Sequence, residues 1–296
     1  MDTVTRCGFV AFCGKPNVGK STLFNRLLER PLSAATGKPQ TTRHNIKGIL
    51  TEQSNQFVFV DTPGIHSGRT RALSRLLNAN AFDAMSQVDV AMLVVEVGVW
   101  NARDEKVLEE LRDAKIPVML CANKIDRLPD QALILPYFAQ LAEHEFLEYL
   151  PVSARSGEGC AVLKESLAKY IPKREHLFEA DALTDRHERF FAEELIREQL
   201  LVQLDKELPY AMHVQVTDFQ HQGERVHISA QILVERESQR KILLGKNGSR
   251  IGAVGQAARL RMGELLDLPV VLKLHVKVQP NWQRDPNILA SYRGGI

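Results

Sequence analysis

The densest chemistry in the sequence lies at Gly14-Lys15-Pro16-Asn17-Val18-Gly19-Lys20-Ser21, which fits G-x-x-x-x-G-K-[ST]. It follows an apolar, strand-like run and opens a helical one, the setting this pattern requires. The glycines let backbone N–H groups turn inward around phosphate oxygens, and the helix N-terminus adds its positive end. Lys20 is placed for the β- and γ-phosphates and the Ser21 hydroxyl for Mg²⁺, with Thr22 beside it. Phosphate binding alone does not choose a base. Asn123-Lys124-Ile125-Asp126 does, because it closes another apolar strand. The Asp126 carboxylate can accept from N1–H and N2–H₂ of guanine, a donor pair adenine lacks. Asn123 is expected to support O6/N7 and the Lys124 stem to cover the ring. Ser153-Ala154, ending the next strand, is expected to turn a backbone N–H toward O6. All three elements sit at C-terminal strand ends, where open α/β sheets bind ligands.

Asp61-Thr62-Pro63-Gly64 ends a further strand. Its carboxylate can hold Mg²⁺ through water and the Gly64 N–H can meet a γ-phosphate, so hydrolysis would release this loop. The polar, aperiodic stretch 32–44 contains Gln40-Thr41-Thr42-Arg43-His44. A Thr there would complete the Mg²⁺ shell when the γ-phosphate is present, and Thr42 is favoured over Thr41. The expected reacting set is thus Lys20, Thr42 and Gly64, with Ser21, Thr42 and Asp61 around the metal.

These loops need a scaffold. Residues 8–13, 88–97, 116–123 and 147–154 are apolar runs of strand type, as expected where both sheet faces are covered. Between them, helical patterns fall at 21–29, 72–86, 104–114, 131–143 and 161–170. Alternation of this kind predicts an α/β fold, a doubly wound and mostly parallel sheet with helices on both faces. Segments 45–51 and 56–61, joined by a short polar turn, predict an antiparallel hairpin at the sheet edge. The chain's 296 residues suit two domains, assigned here as 1–172 and 186–296 with a Pro-containing linker at 173–185.

The second half changes order, to helix 186–207, strands 211–219 and 225–234, helix 238–244, Gly245-Lys246-Asn247-Gly248, helix 249–266 and strand 270–278. Two glycines there allow a tight helix–helix turn on which a nucleic-acid backbone can lie, with Arg240, Lys241, Lys246 and Arg250 around it. Asn247 completes the loop, and Ile242, Leu244 and Ile251 offer an apolar floor for bases. Trp282 could stack on a base, though a hydrophobic latch is the commoner use of such a residue. The whole chain carries only +2, yet 225–284 holds eleven basic residues against four acidic, a local +7. The 44% apolar and 25% charged composition excludes collagenous, disordered and disulfide-scaffold classes. No uncharged apolar run spans a bilayer, and the four cysteines, without C-x-x-C spacing, read as reduced core residues. A soluble, cytoplasmic chain is expected.

In order, GKPNVGKS, QTTRH, DTPG, NKID and VSA resemble the five G motifs of translation-factor-class GTPases, and the QTTRH and VDTPGIH wording resembles the Era family. The α-β-β-α-α-β order around GKNG resembles a type II KH domain, an α+β RNA-binding fold. This resemblance covers nearly the whole chain. It implies a P-loop GTPase that binds GTP and GDP with Mg²⁺, holds the 3′ end of 16S rRNA and assists 30S subunit assembly, as a monomer. It also implies peripheral association with the inner membrane, which sustains a rival reading as a membrane-associated signalling switch. A second rival is an RNA tether whose hydrolysis is incidental. Ile65 follows DTPG where Ras-type enzymes carry a water-orienting Gln, so slow intrinsic hydrolysis is expected. Asn17, by analogy with related GTPases, implies K⁺ standing where an arginine finger's charge would go.

Overall fold

A computed structural model describes residues 4–34, 46–61, 88–204 and 208–292. Thr42, Thr62, Pro63, Gly64 and Ile65 lie outside the described residues, as does the helix expected at 72–86. The described chain divides into two compact units, with the main break between Asp185 and Arg186.

In the first unit β1 (Arg6–Cys13), β2 (Ile46–Glu52), β3 (Asn55–Asp61), β4 (Val90–Glu96), β5 (Val118–Asn123) and β6 (Tyr149–Pro151) form one sheet in the order β2-β3-β1-β4-β5-β6. Only β2 runs antiparallel, paired with β3 as the edge hairpin; the other pairings are parallel. Alternate β1 side chains face opposite layers. Ala11 and Cys13 join a core with α2 (Ala102–Asp113) and α3 (Ile134–Gln140). Phe12 instead meets Phe24 of α1 (Lys20–Leu28) edge-on, with ring centroids 5.7 Å apart. Helices therefore cover both faces. Helix α4 is Cys160–Tyr170.

Two expected elements are shorter than their patterns. The strand at 147–154 keeps regular strand geometry only over Tyr149–Pro151, although its bonds to β5 continue from Leu147 N to Val118 O and from Val152 N to Ala122 O, both at 2.9 Å. The helix at 131–143 is a single α-segment, Ile134–Gln140, between 3₁₀ turns. The expected linker also needs correction. Residues 173–185 are strapped to the first unit, with Arg174 paired to Asp89 at 2.8 Å and the Ile49 N–H donating to Leu183 O at 2.9 Å.

In the second unit α5 (Glu188–Gln203), α6 (Glu237–Leu244) and α7 (Ser249–Leu266) accompany β7 (Met212–Gln222), β8 (Arg225–Val234) and β9 (Val270–Val278). The sheet order is β7-β8-β9, antiparallel then parallel. Gly223, at φ 58°, makes the tight β7–β8 turn. Ala192, Leu195, Ile196 and Leu200 of α5 pack with Val254, Ala258 and Met262 of α7 over the sheet. Helix α8 is Pro286–Tyr292. Among the described residues no helix is long and apolar enough to cross a membrane.

Candidate functional site

The loop from Gly14 to Gly19 leaves β1 and enters α1 between the ends of β3, β4 and β5. Glycine is required at both ends. Gly14 has φ 137°, and a Cβ there would lie 2.3 Å from Val94 O; Gly19 has φ 100°, and its Cβ would meet Asn123 Nδ2 at 2.3 Å. Asn17, exposed between Pro16 and Val18, has φ 68°, a left-handed backbone that Asn tolerates better than most residues. The Lys20 ammonium is buried and donates to Gly14 O at 2.8 Å and Lys15 O at 2.9 Å. Burial lowers its pKa, while the Asp61 charge opposes that shift.

Ser21 Oγ donates to Asp61 Oδ2 at 2.9 Å, and Ser33 Oγ donates to the same oxygen at 2.5 Å. Hydroxyl and carboxylate oxygens are the hard donors Mg²⁺ takes, so the expected pair Ser21 and Asp61 fits that ion. Ser33 was not foreseen, because a lone Ser in a polar stretch carries no pattern. It is buried and pinned by exchange with Asn25, whose Nδ2 donates to Ser33 O at 2.7 Å.

Asn123 joins two of the expected elements. Its Nδ2 donates to Val18 O at 2.8 Å and its Oδ1 accepts from Ala154 N at 2.9 Å. It thus ties the phosphate loop to the Ser153-Ala154 turn. Asp126 stays exposed beside the turn, accepting from Ser153 Oγ at 2.7 Å. Lys124, with φ 69°, lays its stem toward Glu96, Nζ to Oε2 at 2.7 Å. Burial alone would raise the Glu96 pKa; hydrogen bonds and charge from Lys124 and Arg127 outweigh it and hold the carboxyl below its ordinary range. Arg26, also unforeseen, donates from α1 to Ala154 O at 3.1 Å and Arg155 O at 2.5 Å. The four cysteines are buried, and burial pushes the Cys13 thiol up to about 12.

The glycine loop of the second unit forms as a 3₁₀ turn, Lys246–Gly248, between α6 and α7. Gly245, Asn247 and Gly248 have φ of 71°, 52° and 77°. Lys241 and Lys246 are exposed. Arg240 pairs with Glu237 at 2.9 Å, and Arg250 donates to Ile242 O at 2.8 Å, bracing the turn from within. Leu243 is the buried residue of α6, whereas Ile242 is 50% exposed; Leu244 and Ile251 are intermediate. Trp282 is the latch, not an open stacking surface. It is 1% exposed, donates to Ala211 O at 3.3 Å and stacks on His213 with centroids 5.7 Å apart.

Fold and site together define a class, a phosphate-loop nucleotide switch joined to a small unit with a glycine-loop helical turn. Residues 9–124 match the family described as 50S ribosome-binding GTPase, and residues 207–283 match the KH domain. The GTPase Era of Marinobacter nauticus is 44% identical over 288 residues, covering 97% of this chain and 94% of that protein. A solved structure of Era from Aquifex aeolicus bound to GDP·AlF₄⁻ superposes with a TM-score of 0.92 at 31% identity, covering 97% and 99% of the two chains. Another, of Era with MgGDPNP and nucleotides 1506–1542 of 16S ribosomal RNA, gives 0.91 at 31% identity, covering 97% and 98%. The chain belongs to the Era family of GTPases.

Proposed function

We propose that this chain is a GTP-hydrolysing switch whose second unit binds the 3′ end of small-subunit rRNA and assists assembly of the 30S subunit. The observation that carries the reading is the glycine loop, Gly245-Lys246-Asn247-Gly248, presented with exposed Lys241 and Lys246 between two helices. A relative of the same two-unit fold holds both a GTP analogue with Mg²⁺ and a 16S rRNA segment. Backbone contact at the loop positions a single strand, and the lysines neutralise its phosphates.

In the first unit Lys20 would leave its two carbonyls for the β- and γ-phosphates, and Ser21 and Asp61 would hold Mg²⁺, with Thr42 entering when the γ-phosphate is bound. That ion would neutralise charge between the β- and γ-oxygens. Asp126 would read guanine, while Asn123 and Arg26 fix the loops around it. Gly64 would sense the γ-phosphate. With Ile65 in place of a Gln, no side chain there orients water, and hydrolysis is slow unless the backbone or a partner does so. Asn17 is the proposed K⁺ ligand.

Cytoplasmic residence as a monomer completes the reading. A membrane role draws little support from α5, because Leu195, Ile196 and Leu200 are consumed in the core. RNA capture is the direct test. Lys246→Asp and Gly248→Asp should each abolish capture of a 3′-terminal 16S fragment while leaving GDP affinity intact; undiminished capture by both overturns the assignment.

A further inference from the structure

Among the side chains of the phosphate loop, Lys15 is engaged by a neighbouring helix. Its Nζ lies 2.7 Å from Asp104 Oδ2 in the first turn of α2, with side-chain exposures of 14% and 0%. The same Oδ2 accepts from Asn101 N at 3.1 Å, while Asn101 Oδ1 accepts from Arg103 N at 3.0 Å. Asp104 therefore belongs to a fixed helix cap, not to a mobile surface pair. Its other oxygen, Oδ1, is buried with no hydrogen-bond partner among the described residues, so a desolvated carboxylate is compensated mainly from one side. Removing one member of such a pair is costly.

The backbone of Lys15 matters to the site. Its carbonyl, with that of Gly14, holds the Lys20 ammonium in reserve. Gly14 is pressed against Val94 O and Val18 O is held by Asn123. Between those anchors, Lys15 is held by its carbonyl on Lys20 and, outside the loop, by its side chain on Asp104. We infer that Asp104 is a positioning residue for nucleotide binding, acting through Lys15 to hold the first half of the phosphate loop in its receptive shape before nucleotide arrives. The inference deepens the GTPase reading and rests on it. Lys15 then contributes geometry and no charge to the phosphates, and Lys20 alone supplies the loop's cation.

Binding of a fluorescently labelled GDP to the full chain tests this. Asp104→Asn keeps the shape and the bond from Asn101 N but removes the charge. Lys15→Met keeps the stem and, lying at the more exposed end, still decides the matter if Asp104→Asn does not fold. Each should raise Kd about tenfold, the size of coupling within one ion-pair network, and the double variant should be no weaker than either single. Lys15→Arg should restore near-normal affinity. Asn101→Ala, which strips the cap but spares the ion pair, should lower the melting temperature and leave Kd within about twofold. Tighter or unchanged binding by Asp104→Asn, multiplying losses in the double variant, or an equal loss in Asn101→Ala would each overturn the inference. An unaltered chain that does not bind GDP at all overturns the underlying reading instead, before any variant is compared.

Discussion

Two residues make sharp predictions from their surroundings. Glu193 of α5 accepts the Val216 N–H at 2.7 Å, beside the irregularity between Val216 and Asp218 in β7. Burial raises its carboxyl from 4.5 to about 7, helped by the Glu194 charge and opposed by Val216 and Arg189. The folded chain therefore holds this proton where the unfolded chain has lost it. Its contribution is full below about 4.5, the ordinary Glu value, and is lost as pH rises through about 7. Thermal melts at pH 5.5 and pH 8 should show the Glu193→Gln variant gaining stability over the parent at pH 8 and little at pH 5.5; equal gains at both would refute the shift. For Asn17, the left-handed φ already explains the residue without an ion. The K⁺ proposal adds that hydrolysis is several-fold faster in K⁺ than in matched Na⁺, and that Asn17→Asp, which tolerates the same backbone, alters this ratio. At this scale the sequence singles out Lys20, Ser21 and Asp61 by spacing, and the fold bonds Ser21 to Asp61. The sequence is silent on Ser33, Arg26 and Asp104, whose partners lie 28, 128 and 89 residues away.

Among the elements, the strap at 173–185 is the part that local pattern hides. It has no periodicity because its bonds run sideways to another segment. Gln56, fully buried in β3, accepts from Leu177 N at 2.8 Å and Phe178 N at 3.0 Å, and donates to Phe178 O at 2.8 Å. Cys7 Sγ donates to the same amide oxygen at 3.5 Å. A buried amide with this many partners behaves as a rivet. Gln56→Ala should cost about 2–3 kcal/mol, through buried polar groups left unpaired. Amide hydrogen exchange should rise at 176–184 in that variant while β1 and β4 stay protected; protection unchanged across the strap would contradict this account. The long strands and the helices flanking GKNG were legible, because continuous apolar runs and 3.6-residue periodicity survive any tertiary context. The 131–143 segment misled, since apolar spacing does not reveal where α-geometry gives way to 3₁₀ turns.

For the molecule as a whole, net charge is the least informative number. A total of +2 conceals the +7 segment around the glycine loop, and some of its cations are engaged within the protein, Arg240 by Glu237 and Arg250 by Ile242 O. RNA affinity should therefore fall with salt as expected for a few phosphate contacts, not for the whole basic segment. One chain, as proposed, couples a guanine nucleotide switch to recognition of the small-subunit rRNA 3′ end. Crosslinking of the full chain to RNA in cells, followed by sequencing, tests it most directly when GTP-analogue-locked and GDP-bound forms are compared. The account predicts crosslinks concentrated at the 16S 3′ terminus, centred on the Gly245–Gly248 loop and stronger in the GTP-like form. Crosslinks spread over unrelated RNAs, or equal in both forms, would contradict it.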